Sequence, residues 1–168
     1  MAIPEFHAFI ARVNELLSYD PETGEFRWKV GRPGASKGSL AGGLRPDGYR
    51  KIRVDRRQVL AHRLAFMIAH GRDPVGEIDH VNRVKSDNRL ANLREATKSQ
   101  NGANKQTSRR APHGLKGISR AKPENRWRAC IRKDGKFFHL GVFDTPEAAH
   151  AAYVDAARRL HGEFARSA

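Results

Sequence analysis

The spacing of apolar positions changes several times along this chain, and each change marks an element. Phe6, Ile10, Val13 and Leu17 recur at helical spacing, which predicts a short amphipathic helix. Asp20-Pro21-Glu22-Thr23-Gly24 interrupts that pattern between Leu16-Leu17-Ser18-Tyr19 and Glu25-Phe26-Arg27-Trp28-Lys29-Val30, as the turn of a hairpin does. The glycine-rich stretch from Gly31 to Gly43 is loop-like. Tyr49 to Val54 alternates Tyr, Ile and Val with basic residues, the pattern of a half-buried strand. Leu60 to His70 returns to helical spacing, with Ala61, Leu64 and Ile68 on the inner face and Gly71 closing the helix.

Leu93 to Ala96 predicts a short extended segment. Thr97-Lys98-Ser99-Gln100 then has the form of a capping box, a hydroxyl followed three residues later by an amide that can reach back. A helix starting at Lys98 puts Asn101, Asn104 and Lys105 on one face. Gln106 to His113 is polar, basic and aperiodic, and reads as a linker. Beyond it come three β-like runs, Lys116–Ala121, Arg126–Lys133 and Lys136–Phe143. The second and third are joined by Asp134-Gly135, a strong hairpin signal. Thr145-Pro146 supplies an N-cap and a first-turn proline for a helix ending near Gly162. Its stripe of Ala149, Ala152, Tyr153, Ala156 and Leu160 is mostly small, which lets a helix lie close on a sheet. The expected class is therefore α+β, with residues 1–105 as one domain, 106–113 as a basic linker and 114–168 as a second domain.

Charge adds a partner to this outline. Lys and Arg outnumber Asp and Glu by 32 to 18 over 168 residues, a formal net charge of +14. Such an excess suits a polyanion, because neutralised phosphates release condensed counterions. It is also unevenly placed, with eight cations against two acids between Lys116 and Lys136. No apolar run is long enough to span a membrane, and the N-terminal segment lacks the layout of a signal peptide. The single cysteine, Cys130, excludes an internal disulfide and a Cys-rich zinc knuckle. A reducing, intracellular setting is the expected default.

The candidate chemistry lies in the middle of the chain. Asp79 and His80 are adjacent on an extended segment, followed by Asn92 and then by Asn101 on the capped helix. Phosphodiester cleavage needs a nucleophilic water, charge stabilisation at phosphorus and help for the leaving oxygen. A hard divalent ion supplies the last two, and a neutral imidazole takes the water's proton. Asp79 and the Asn101 amide oxygen suit such an ion, Mg²⁺ or Mn²⁺, and leave positions for water and phosphate. His80 points to the other side of the strand, and Asn92 is placed to fix the intervening loop. Alone, an Asp-His pair is usually a surface hydrogen bond and an Asn on a polar helix is usually solvated. The joint spacing and basic flanks are what favour a site. For His62 and Arg63 at the start of a helix, packing and phosphate contact remain equally open. His7, His70, His113, His150 and His161 show no metal-ligand spacing.

These residues carry a family resemblance. Ala61-His62-Arg63-Leu64, Glu77-Ile78-Asp79-His80-Val81-Asn82, Asn88-Arg89-Leu90-Ala91-Asn92-Leu93-Arg94 and Gln100-Asn101-Gly102-Ala103-Asn104 together resemble an HNH endonuclease. The likeness is to the phage and intron-associated branch, in which the last histidine is asparagine. It extends from about Leu16 to Asn104. It implies a ββα-metal fold, with Asp79 and Asn101 as metal ligands, His80 as general base and Asn92 as the supporting residue. It also implies cleavage to a 3′-hydroxyl and a 5′-phosphate. The cysteine pairs that hold structural zinc in some relatives are absent, so zinc is not expected.

In the C-terminal unit, Trp127, Ala129 and Ile131 alternate with Arg126, Arg128, Cys130 and Arg132, so the second set faces away from the helix. Phe138 and Leu140 join the inner face, and Phe137 and His139 the outer one. An arginine-rich face of this kind can enter a major groove. Gly117-Ile118-Ser119, the run Arg126 to Ile131, Leu140 to Thr145 and Ala148 to Tyr153 resemble an AP2 domain, over Gly114 to about Gly162. That resemblance implies a three-stranded sheet docked on double-stranded DNA. Ser119, Cys130 and His139 depart from the plant-type pattern, so no base specificity is carried over. The residues expected to meet DNA are Arg120, Arg126, Arg128, Arg132 and His139, with Lys105 and Arg63 nearer the central constellation. The combined expectation is a metal-dependent, homing-type DNA endonuclease of phage or prophage origin. A non-catalytic DNA-binding regulator with a relic nuclease domain is the alternative, and a nuclease that also cuts RNA is a further one.

Overall fold

The computed structural model describes residues 3–105, 112–122 and 125–166, so residues 106–111 of the expected linker lie outside the described residues. Among the described residues the fold is α+β, with four α-helices and four small sheets. The chain divides into two compact units, Met1–Glu95 and Ala96–Ala168.

In the first unit, α1 (Ile3–Leu16) turns Phe6, Phe9 and Val13 inward. It runs directly into β1 (Leu17–Tyr19), which pairs antiparallel with β2 (Phe26–Trp28). Leu17 sits opposite Trp28, and Tyr19 stacks on Phe26 with ring centroids 4.7 Å apart. A second antiparallel sheet follows in the order β3 (Gly43–Leu44), β4 (Arg50–Val54), β5 (Arg57–Leu60). Ile52 and Val54 of β4 enter the core while Arg53 stays outside, as period-2 alternation requires. β5 is not foreseen by the apolar pattern. The chain reverses at Asp55, which adopts a left-handed φ of 50°, so a turn stands where the sequence shows no Asn-Gly or Asp-Gly. The backbone then enters α2 (Ala61–His70) directly from Leu60, and Gly71 closes the helix with φ 63° and an N–H to the Met67 carbonyl.

Two further strands, β6 (Glu77–His80) and β7 (Leu93–Ala96), pair with each other. The loop between them rests on the β1–β2 turn. Tyr19 donates its hydroxyl to the Asn88 carbonyl at 2.8 Å, and the Leu90 N–H reaches the Pro21 carbonyl at 3.0 Å. Gly24, at φ 73°, lies so close to the backbone of Asn88 and Arg89 that a Cβ there would overlap both. A glycine is needed at that contact for space as well as for conformation.

The second unit begins with the end of β7 and α3 (Lys98–Asn104), whose capping box is complete. Thr97 accepts from the Gln100 N–H, and the Gln100 side chain accepts from the Thr97 N–H at 2.8 Å. Strands β8 (Ile118–Ala121), β9 (Arg126–Lys133) and β10 (Lys136–Phe143) form an antiparallel sheet in the order β10-β9-β8. The Asp134-Gly135 turn has both residues at positive φ, 50° and 83°, as a tight hairpin demands. Helix α4 (Pro146–His161) starts at a Thr145 cap, and Ala149, Tyr153, Ala156 and Ala157 are buried against Ile118, Trp127, Ala129 and Ile131. A bulge between His139 and Gly141 shifts the β10 register so that Gly141 pairs with Ala129, while Leu140 keeps the inner side that alternation assigns it.

Gly117, at φ 78°, is packed beneath Tyr153, where a Cβ would overlap the phenol ring. Gly117→Ala is expected to destabilise this unit by about 2–5 kcal/mol, the sum of overpacking and a left-handed backbone cost. Denaturant unfolding followed by tryptophan fluorescence measures this. A loss below about 0.5 kcal/mol would contradict the close packing.

Candidate active site

β6 ends in the pair singled out by sequence. Asp79 and His80 are each only 4% exposed. Asp79 is engaged by Arg94 of β7, whose Nε lies 3.0 Å and whose terminal nitrogen lies 2.9 Å from Oδ2. Both side chains are withdrawn from water, 5% and 14% exposed, which makes this a buried ion pair rather than a surface one.

His80 lies among aromatic rings. The His62 ring meets it edge-on at 5.0 Å between centroids, and Tyr49 lies 6.0 Å from it and 5.1 Å from His62. Burial pushes the His80 imidazole below its ordinary pKa, and the Asn88 hydrogen bond and the Asp79 charge oppose that only in part. His62 is driven down further, to about 3, by burial first and then by His80 and Arg63. Both rings are therefore uncharged at neutral pH, the state in which an imidazole accepts a proton. The His62 Nδ1 atom is buried and finds no hydrogen-bond partner among the described residues.

Asn92 ties the loop between β6 and β7. Its Oδ1 accepts from the Asn82 N–H at 2.9 Å, its Nδ2 donates to the Asp87 carbonyl at 2.8 Å, and its carbonyl accepts from the Val81 N–H at 2.9 Å. Asp87 adds a clamp, taking bonds from Asn82 Nδ2 and from Arg89, whose guanidinium holds its carboxyl down to about 2. In this way the loop leaves β6 immediately after His80 with its course already fixed. Asn101 belongs to the second unit, half-buried on α3, where its N–H bonds the Thr97 carbonyl at 2.9 Å.

The same stretch matches known proteins. Residues 59–103 match the model of the HNH endonuclease family. An uncharacterized HNH endonuclease of Acanthamoeba polyphaga mimivirus is 30% identical over 147 residues, covering 86% of this chain and 68% of the relative. Protein 3.8 of Escherichia phage T7 is 35% identical over 107 residues, 62% of this chain and 87% of that one.

The chain belongs to the HNH endonuclease family.

That membership implies a nucleic-acid substrate, and HNH nucleases generally use a divalent metal. No group of three or more His, Cys, Asp and Glu side chains able to hold a metal gathers among the described residues. The carboxylate on offer beside His80 is Asp79, a hard oxygen donor. Such a donor fits an ion that takes few protein ligands and completes its shell with water and phosphate.

Three residues around the HNH motif carry more than their sequence suggests. Arg94 holds Asp79, and the signal for it was an opposite charge on the paired strand. Asn88, 1% exposed, opposes His80 from within the loop, and no local pattern marks it. Tyr49 joins the two imidazoles from the loop before β4, with Lys85 over its ring at 4.8 Å. Of the cations expected to meet DNA, Arg63 is engaged internally, with Asp73 at 3.0 Å and the Gly76 carbonyl at 3.3 Å. Arg128, Cys130 and Arg132 of β9 share the outer face with Phe137 and His139 of β10, and Arg132 lies over the Phe137 ring at 5.1 Å. Arg126 pairs with Asp144 at 3.0 Å. Arg120 is opposite Trp127 in register and lies over its ring, so it belongs to the other side of the sheet. Lys105 is exposed at the C-terminal end of α3.

Proposed function

We propose that this HNH protein is a metal-dependent endonuclease acting on double-stranded DNA. The observation that carries the reading is the buried, uncharged His80 imidazole beside the buried Asp79 carboxylate, at the head of a loop stapled by Asn92. In this reading β6, β7 and α3 are the ββα-metal element, and Asp79 and Asn101 hold Mg²⁺ or Mn²⁺. The ion, when bound, stabilises charge at the phosphoryl group and on the leaving oxygen. His80 accepts the proton of the attacking water, and the products are a 3′-hydroxyl and a 5′-phosphate. Arg94 fixes the Asp79 carboxylate, and Asn92 and Asn88 hold the backbone and ring of His80 in place.

The sheet of β8, β9 and β10 with α4 is read as an AP2-like DNA-binding domain after the 106–113 linker, the nuclease domain being residues 1–105. Arg126, Arg128, Arg132 and His139 present its DNA face, and Lys105 adds positive charge at the end of α3. The relative in an Escherichia phage accords with a phage or prophage origin, and in this reading the protein is a homing-type enzyme working in the cytoplasm of a bacterial host. The retained Asp79, His80, Asn92 and Asn101 weigh against a non-catalytic regulator.

Metal removal tests this directly. Supercoiled plasmid incubated with purified protein is expected to be nicked with Mg²⁺ and left intact with EDTA, and Mg²⁺ in excess over the chelator restores nicking. Nicking that persists in EDTA, or no nicking of any duplex with Mg²⁺ or Mn²⁺, would overturn the proposal.

A further inference from the structure

Helix α3 is poorly equipped to exist by itself. It has seven residues, Lys98-Ser99-Gln100-Asn101-Gly102-Ala103-Asn104, of which Gly102, Ser99 and the two asparagines are weak helix formers. Helices this short are unstable in water without tertiary support. The capping box secures its first turn only, and its apolar contribution is Ala103, in a small cluster with Ala96 and Phe164.

Among the described residues, polar support comes from the segment before β8, the β9–β10 turn and the C-terminal tail. The Lys116 ammonium donates to the Ala103 carbonyl at 2.5 Å and to the Lys105 carbonyl at 2.8 Å, two acceptors at the end of the helix. A cation there also complements the helix dipole. Arg166 donates through Nε to the Asn104 Oδ1 at 3.1 Å, and Asn104 is itself buried. From the β9–β10 turn, the Asp134 N–H reaches the Ser99 hydroxyl at 3.0 Å. Three separate segments, before β8, between β9 and β10, and after α4, thus converge on one short helix.

We propose that Lys116 and Arg166 are positioning residues for Asn101. By clamping the last turn of α3 they fix the direction in which its amide oxygen is presented, so the C-terminal module is part of the nuclease's working framework as well as a carrier for DNA. The inference rests on the reading of Asn101 as a metal ligand.

The test uses the 168-residue chain. Lys116→Met keeps the length and apolar stem of the side chain and removes its charge. In metal-free protein, hydrogen exchange at the amides of Asn101 to Lys105 is expected to speed up about tenfold, the size of one lost charge-assisted bond. Mn²⁺ affinity, read by electron paramagnetic resonance, is expected to fall about fivefold to tenfold by the same reasoning. Nicking then needs more Mg²⁺ but returns to within about twofold of wild type at saturation, again the pattern of a weakened hydrogen bond. Lys116→Arg is expected to restore most of both effects, and Arg166→Gln to reproduce them in direction. Unchanged exchange in α3 with Lys116→Met overturns the inference. Asn101→Ala serves as the reference: if it weakens Mn²⁺ binding and Lys116→Met does not, the positioning role fails alone. If Asn101→Ala binds Mn²⁺ like wild type, the ligand reading fails and the inference falls with it.

Discussion

Protein carrying His80→Ala is expected to lose about 10²- to 10⁴-fold in metal-dependent nicking, the usual contribution of a general base, with duplex binding unchanged. This equals about 2.7–5.4 kcal/mol of transition-state stabilisation at 1.36 kcal/mol per decade. The expectation follows from the environment of the ring. Burial keeps it uncharged, Asn88 bonds it, and the rings of Tyr49 and His62 lie against it. Removing the imidazole also leaves a void beside those rings, so the variant loses some stability. His80→Gln, closer in volume, separates the two effects: it should retain more of the fold and no more of the activity. Nicking within about threefold of wild type in nuclease-free His80→Ala protein would rule out a proton-transfer role of this size.

Asp79→Ala is expected to be as severe for cleavage, and it carries a second cost. Arg94, only 14% exposed, is stripped of its carboxylate. Breaking a buried pair from one side typically destabilises by about 3–5 kcal/mol, because the remaining charge sits in a poor solvent. Replacing both members with apolar residues is often close to neutral. Asp79→Ala/Arg94→Met is therefore expected to recover most of the stability lost in Asp79→Ala and none of the nicking. Denaturant unfolding and the plasmid assay, run on both single variants and the double, close the cycle. If the double variant regained cleavage along with stability, Asp79 would be a structural partner of Arg94 and not a metal ligand.

Much of the scaffold was legible in the sequence because its signals are local. The β9–β10 hairpin follows from alternation interrupted by Asp134-Gly135, and the start of α4 from Thr145-Pro146. The capping box at Thr97 and Gln100 depends only on residues three apart. β5 was not legible, because Arg57-Gln58 is polar and its turn uses an Asp at positive φ in place of a glycine. The side of the sheet taken by Arg120 depends on register with Trp127, and the bulge at Leu140 on pairing with β9, which no single strand reveals. At the site, Asp79, His80 and Asn92 stand out as a spaced set of polar residues. Their partners do not: Arg94, Asn88 and Tyr49 come together only after strands pair and a loop folds back, a matter of long-range packing.

The stapled loop after His80 has one more consequence. Asn92, Asp87 and Asn82 close the segment with their own side chains before any substrate arrives, and the β1–β2 turn supports it from below. A loop ordered in advance loses little conformational freedom when a nucleic acid binds, so that part of the entropic cost is met during folding. Replacing a staple such as Asp87 would leave every reacting group in the chain and still slow the reaction, through a less favourable activation entropy. On the proposed function, the loop's contribution to rate is stored in order rather than in contact with the scissile bond.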